Sequence, residues 1–166
     1  MISKSIMKTY RSICKSNDEL IKLGSITPMC FLIKKDNTIT AIAMIFKNGD
    51  EKIAMRNILK KFILKRRTRA YILMQDSIMT MIDKKTGKHE TKDVIIRTIF
   101  TPKEKYMEIV EYKNKKIIKK KVITSKDSMK FSSEWNIWED VEFDNYDNEA
   151  YQKIKRDNPE DYKEVA

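Results

Sequence analysis

An amphipathic helix followed by an apolar strand is the clearest hydrophobic pattern in the chain. Within residues 50–68, apolar side chains recur at the spacing of one helical face, namely Met55, Ile58, Leu59 and Phe62. This spacing predicts a helix packed on the core, and Asn48 with Glu51 has the spacing of a capping box at its start. Residues 70–74 are all apolar, which predicts a central strand covered on both faces. Residues 78–82 continue that strand after a predicted bend.

Shorter alternating patterns predict a sheet around this helix and strand. Residues 29–46 have the pattern of a β-hairpin, and further strands are predicted over residues 93–100, 106–112 and 117–123. Residues 1–25 predict one or two short helices, with a helix start at residues 16–19 and a stop at Gly24. This order favours a single α+β domain with a mainly antiparallel sheet of about five to six strands and the helices on one face.

Charge divides the chain into two parts. The 166 residues carry a formal net charge of +11. Residues 134–166 hold eleven acidic and four basic side chains, a net charge of −7, so residues 1–133 carry +18. We interpret residues 1–133 as a basic α+β domain and residues 134–166 as an acidic tail. Trp135 and Trp138 lie at the aromatic start of the tail, through which we expect it to dock in part.

Two clusters of cationic side chains indicate a surface for nucleic acid or another acidic partner. The first cluster is Lys60, Lys61, Lys65, Arg66, Arg67 and Arg69, and the second is Lys113, Lys115, Lys116, Lys119, Lys120 and Lys121. A surface that neutralises several phosphates releases counterions and binds nucleic acid without reading its sequence. Tyr106, Tyr112 and Phe131 are candidates for stacking on bases. The alternative explanation of the lysines is that they cover solvated faces.

The leading hypothesis is therefore a non-enzymatic binding protein whose acidic tail competes for the basic surface. A second hypothesis is a protein–protein adaptor or complex subunit that uses a sheet edge, or Trp135 and Trp138 as anchors. The competing interpretation of these two rings is that they close the core of the domain itself. The sequence does not predict an oligomeric state.

A third hypothesis is a metal-dependent nuclease, and it depends on a short pattern. Glu111 and Lys113 form a Glu-x-Lys pattern at a predicted strand end. Asp76 or Asp93 would supply a second carboxylate for Mg²⁺. His89 is the only histidine, and it offers no nucleophilic triad with any specific spacing. The sequence alone does not decide whether the chain is an enzyme.

The remaining composition bears on compartment and cofactors. Cys14 and Cys30 have no metal-ligand spacing and make no disulfide framework, so we expect a cytoplasmic or other reducing intracellular setting and no cofactor. A basic, acid-free start over residues 1–15 leaves a mitochondrial targeting segment as an alternative. No apolar run of about 18 residues occurs, so we expect no membrane span.

Overall fold

A computed structural model describes residues 2–65 and 68–123 as two helices and six strands. The helices are Lys4–Lys22 (α1) and Gly49–Lys65 (α2). The strands are Met29–Lys34 (β1), Ile39–Ala43 (β2), Thr68–Ile82 (β3), His89–Phe100 (β4), Lys105–Lys113 (β5) and Lys116–Ile123 (β6). The predicted boundary between the basic domain and the acidic tail lies outside the described residues, as do Trp135 and Trp138.

The six strands form one antiparallel sheet in the order β2-β1-β3-β4-β5-β6. Every sequential strand pair is a hairpin except β2 and β3, which are separated by α2 and by β1 in the sheet. This confirms the predicted α+β class and the antiparallel sheet. The two edge strands are therefore β2 and β6.

The two helices cover opposite faces of the sheet. Alternation along β3 turns Ala70, Ile72 and Met74 into an apolar cluster with α1, while Tyr71 and Leu73 join a second cluster with α2. We call these sides of the sheet the α1 face and the α2 face. The prediction that the helices share one face was wrong, because an apolar run at every position of a strand needs cover on both sides.

Helix α1 is one continuous helix of 19 residues, and the predicted helix start at residues 16–19 was wrong. The helix begins after Ser3, whose hydroxyl accepts a hydrogen bond from the backbone N–H of Ile6. Residues 16–19 resemble a cap because they are polar, but Asn17 is instead buried against the sheet. The predicted stop at Gly24 is confirmed, since Gly24 follows the helix with φ +74° in the left-handed region.

Helix α2 begins as the capping box predicts. The backbone N–H of Glu51 donates to Asn48 Oδ1 at 2.9 Å, and the Glu51 carboxylate accepts from the backbone N–H of Lys47 at 2.6 Å. The predicted apolar stripe is shifted by one position, because Ile58 is 45% exposed whereas Ile63 is fully buried. The helix therefore turns slightly away from the face that its spacing predicts.

The strands differ from their predicted bounds mainly by extension. Strand β3 runs without the predicted bend, since Gln75, Asp76 and Ser77 each pair with a residue of β4. Strands β5 and β6 are joined by a two-residue turn at Asn114 and Lys115, both with positive φ, as in the type I′ turns that suit hairpins. No helix in the described part of the chain is long and apolar enough to cross a lipid bilayer.

The sequence predicts Ile58 as a core contact of α2, but the structure has Ile63 there instead. Alanine variants at these two positions test the orientation of the helix. We expect Ile63→Ala to lower the free energy of unfolding by about 2–4 kcal/mol, because it leaves a cavity between α2 and the sheet. Ile58→Ala should lower it by less than about 1 kcal/mol, because Ile58 is already 45% exposed. Urea unfolding followed by circular dichroism checks both values. Equal losses in the two variants would contradict the observed orientation of α2.

Candidate nucleic-acid interface

The hairpin of β5 and β6 concentrates positive charge on a sheet edge. Residues 105–123 hold seven lysines and two glutamates, a net charge of +5. The turn between the strands lies beside the end of α1, where a Cβ added at Gly24 would come within 2.8 Å of Lys115 Cε. The side chain of Lys115 thus packs along the helix end. The turn of the lysine-rich hairpin is therefore packed beside the C-terminal end of α1.

Most lysines of this hairpin are exposed. The exposed side chains are Lys113, Lys115, Lys116, Lys119, Lys120 and Lys121. Of these, Lys120 is bound by Asp18 on the α1 face. Within residues 2–65 and 68–123, the other five form no ion pair with an acidic side chain. Lys119 and Lys121 lie on the α2 face, since they pair with Glu111 and Ile109 of β5. Cationic groups therefore project from both faces of the β6 edge.

The first predicted cluster is separate from this edge. Lys60 and Lys61 are half-buried on α2, and Arg69 Nη2 donates to the hydroxyl of Ser5 at 2.7 Å. Lys65 ends α2, while Arg66 and Arg67 lie outside the described residues.

The sheet register gives the separation of the two clusters. Lys121 on β6 lies at the same level of the sheet as Gln75 on β3, because each pairs in turn through β5 and β4. Arg69 is six residues from Gln75 along β3, and β3 is three strands from β6. Strand dimensions convert this offset to about 25 Å. Arg69 therefore does not form one patch with the lysines of the β6 edge.

Two of the three aromatic residues predicted to stack on bases, Tyr106 and Tyr112, contact other side chains of the domain. Tyr106 packs edge-on against Tyr10, with 5.5 Å between the ring centroids. The hydroxyl of Tyr112 donates to Asp76 Oδ1 at 2.8 Å. Phe131 lies outside the described residues. Neither described tyrosine is therefore a free-standing ring on the surface.

The carboxylates of the nuclease hypothesis lie on two faces of the sheet. Asp93 pairs with Tyr112, whose hydroxyl binds Asp76, so both aspartates lie on the α1 face. Glu111 pairs with Val94 on the α2 face and forms an ion pair with Lys92 at 3.3 Å. Lys113 also lies on the α2 face, at the end of β5. The three carboxylates do not converge, and no group of three or more His, Cys, Asp or Glu side chains among the described residues is arranged to hold a metal ion.

A buried charge network under α1 was not anticipated from the sequence. Arg97 on β4 is fully buried on the α1 face. Its Nε and Nη2 donate to Asn17 Oδ1 at 3.1 and 2.8 Å, Nη1 donates to Glu108 Oε1 at 3.2 Å, and Nη2 also contacts Asp18. Lys120 binds the other oxygen of Asp18, and the hydroxyl of Tyr10 donates to Glu108 at 3.2 Å. The network joins α1 to β4, β5 and β6.

The charges of this network balance one another. Two cations face two carboxylates, so the burial of charge is compensated locally. Burial opposes ionisation of Asp18, but hydrogen bonds from Lys120 and Arg97 outweigh it and lower the pKa of Asp18. Burial likewise acts to lower the pKa of Arg97, and contact with Asp18 raises it overall. Burial raises the pKa of the Tyr10 hydroxyl far above its ordinary value, so Tyr10 acts only as a neutral donor.

We assign the network a structural role, because each of its charged groups is paired with another member of the network. One signal in the sequence pointed to it. Arg97 interrupts the apolar run of β4 and has the same strand parity as Ile95 and Ile99, which are both buried. A charge at such a position faces the core and requires a partner from the layer above.

Comparisons with protein-family models, with curated proteins and with solved structures found no match for this chain.

Disrupting the buried network around Arg97 should destabilise the protein much more than removing an exposed ion pair on the same helix. We expect Arg97→Met to lower the free energy of unfolding by about 3–5 kcal/mol, because Asp18 and Glu108 lose their buried partner. Lys22→Ala removes an exposed pair with Glu19 and should cost less than about 0.5 kcal/mol. Urea unfolding of both variants provides the comparison. A loss below about 1 kcal/mol for Arg97→Met would show that the network does not secure the helix.

The lowered pKa of Asp18 predicts a pH dependence of stability. Since the folded pKa lies below the unfolded value of about 3.9, the stabilisation is complete above that value and is lost as pH falls through the folded pKa. The stability difference between the native chain and Asp18→Asn should therefore shrink below about pH 4. The pKa values of Asp36 and Asp83 are also lowered, by hydrogen bonds in exposed turns. Both residues are present in the native chain and in Asp18→Asn, so their contribution cancels from the difference. A difference that stays constant between neutral and acidic pH would refute the assignment.

Proposed function

We propose that the protein is a non-enzymatic binding protein that contacts nucleic acid through the β5–β6 hairpin. The observation that carries this proposal is the set of five exposed lysines on one hairpin that have no ion pair with a described acid: Lys113, Lys115, Lys116, Lys119 and Lys121. Lysine heads on flexible stems act as point charges toward phosphates and require no fixed geometry of the ligand.

The dimensions of the hairpin suit a phosphate backbone. Strand residues rise about 3.3 Å each, so residues 116–121 span about 17 Å along the edge. Successive phosphates of one DNA strand are about 3.4 Å apart along the helix axis, so this edge lies opposite about five of them. Lys116, Lys119 and Lys121 all lie on the α2 face of β6, so this side of the edge presents three cations along its length. With Tyr106 and Tyr112 engaged in the domain, we propose binding through the backbone without base reading.

The acidic tail is proposed to compete with nucleic acid for this edge. Residues 134–166 carry a net charge of −7 and follow the basic strand in the same chain. An attached segment acts at a high effective concentration, so even weak contacts with the lysines reduce binding of a free ligand. The tail is thus an autoinhibitory element in this proposal.

A second candidate function is a subunit of a protein complex that adds a strand at β2. The sequence Ile39–Ala43 forms the other edge of the sheet and contains no charged residue, and Ile39 is 46% exposed. Edge strands without charges are suited to pairing with a strand of another protein.

Replacing Ala41, a central β2 residue, by proline should abolish capture of such a partner without affecting nucleic-acid binding. Loss of both activities would contradict this separation of the two edges.

Salt dependence tests the proposed nucleic-acid contact. We expect the affinity for a generic duplex to fall with salt, and replacement of Lys115, Lys116, Lys119 and Lys121 by glutamine to reduce the slope of log K against log salt by about three to four. Fluorescence anisotropy of a labelled duplex at several salt concentrations measures both slopes. An acidic peptide in place of the duplex tests an acidic protein partner.

The matched control removes four lysines from other parts of the molecule. Lys8, Lys84, Lys85 and Lys88 are exposed and lie on α1 or on the β3–β4 turn. Their replacement by glutamine changes the net charge equally and should leave most of the slope intact, because they lie away from the β6 edge. An equal loss in the two variants would show that only net charge matters. Absence of binding at low salt, with and without residues 134–166, would exclude the function.

A further inference from the structure

Part of the α2 face is buried although it belongs to neither apolar cluster formed by the helices. Val94 is 1%, Thr98 2%, Met107 6% and Ile123 8% exposed. The cluster under α2 draws on β1, β3 and the end of β4, and it includes none of these four side chains. A side chain on one face of a sheet is buried this fully when another layer covers that face. The surface formed by β4, β5 and β6 on the α2 face therefore has a cover.

Strand register places these side chains side by side. Ile96 pairs with Ile109, Thr98 with Met107, and Met107 with Ile123. Ile96 and Ile109 are half-buried and extend the same apolar strip. We call the strip made of Val94, Ile96, Thr98, Met107, Ile109 and Ile123 the second-face strip.

We infer that the segment after β6, within residues 124–166, folds back over the second-face strip and buries it with its aromatic start. The last described residue, Ile123, has its side chain in the strip, so the chain continues directly from the surface to be covered. The segment carries apolar side chains suited to such a strip: Trp135, Ile137, Trp138, Val141 and Phe143.

Charge complementarity supports the same occupant. Lys119 and Lys121 border the strip on β6 and are exposed. The segment from residue 134 onward has a net charge of −7, so its acids meet lysines where its apolar side chains meet the strip. A second copy of the chain would bring the basic hairpin as well as the tail to this surface, which makes it the less suitable occupant. The inference concerns the location of the tail and does not depend on nucleic-acid binding.

The two tryptophans make the inference directly measurable. Both tryptophans of the chain lie in the tail, so tryptophan emission reports on that segment alone. Cys14 and Cys30 are buried, so a nitroxide label attaches selectively to a cysteine introduced at an exposed position. A label on Lys121→Cys should remove most of the tryptophan emission of the folded full-length chain, and unfolding in urea should restore it.

A label on Lys85→Cys is the matched control, because Lys85 is also exposed but lies on the β3–β4 turn. It should leave the emission of the folded chain unchanged. Equal emission of the two labelled proteins would overturn the inference. Quenching that grows with protein concentration would assign the strip to a second copy of the chain, which also overturns it.

A pair of surface variants provides an independent check. Ile109→Glu places a charge in the second-face strip, whereas Ile78→Glu makes the same change at an exposed position on the α1 face. Acrylamide should quench tryptophan emission weakly in the native chain and in Ile78→Glu, and about as strongly in Ile109→Glu as in the urea-unfolded chain. Circular dichroism verifies that Ile109→Glu keeps its sheet, and if it does not, the labelling experiment decides. Equal quenching in two folded variants would refute the proposed contact.

Discussion

Burial of β3 from both sides is the constraint on which the rest of the fold depends. Residues 70–74 carry no charged side chain and each is at most 2% exposed, so neither face of this part of the strand is left to solvent. One helix alone covers only one face of a sheet, and the chain therefore places α1 and α2 on opposite sides. The position of residues 68–74 of β3 between β1 and β4 follows from the same need, because the backbone groups of this part of the strand are then paired on both sides.

The two helix layers are held by different physical means. Helix α2 packs through apolar side chains such as Leu59 and Ile63, whose burial involves no titrating group. Helix α1 adds to its apolar contacts the buried pairing of Arg97 with Asn17, Asp18 and Glu108. Buried ion pairs contribute little net stability compared with apolar packing, but they disfavour every arrangement in which one partner is left alone. We therefore expect the network to favour one register of α1 on the sheet.

The fold was largely predictable because most of its strands and helices are marked by hydrophobic patterns within their own residues. Period-two and helical patterns located every strand and α2, and Asn48 with Glu51 defined the start of that helix correctly. The errors arose where tertiary contact overrides local preference. Asn17 and Asp18 have the composition of a helix start, yet they lie inside α1 because Arg97, 80 positions later, supplies their partner. The opposite faces of Asp76 and Glu111 were equally invisible without the sheet register.

The separation in sequence between α1 and its partners has a consequence for the order of folding. Tyr10 meets Glu108, and Asp18 meets Lys120, across 98 and 102 positions of chain. Contacts of such long range form late, since the intervening chain must be ordered before they are gained. During synthesis α1 leaves the ribosome before the strands that it contacts, and its binding surface is complete only after β6 has emerged. Helix α1 is thus made before its partners and is among the last elements to be secured, and its apolar side stays exposed until β6 is complete.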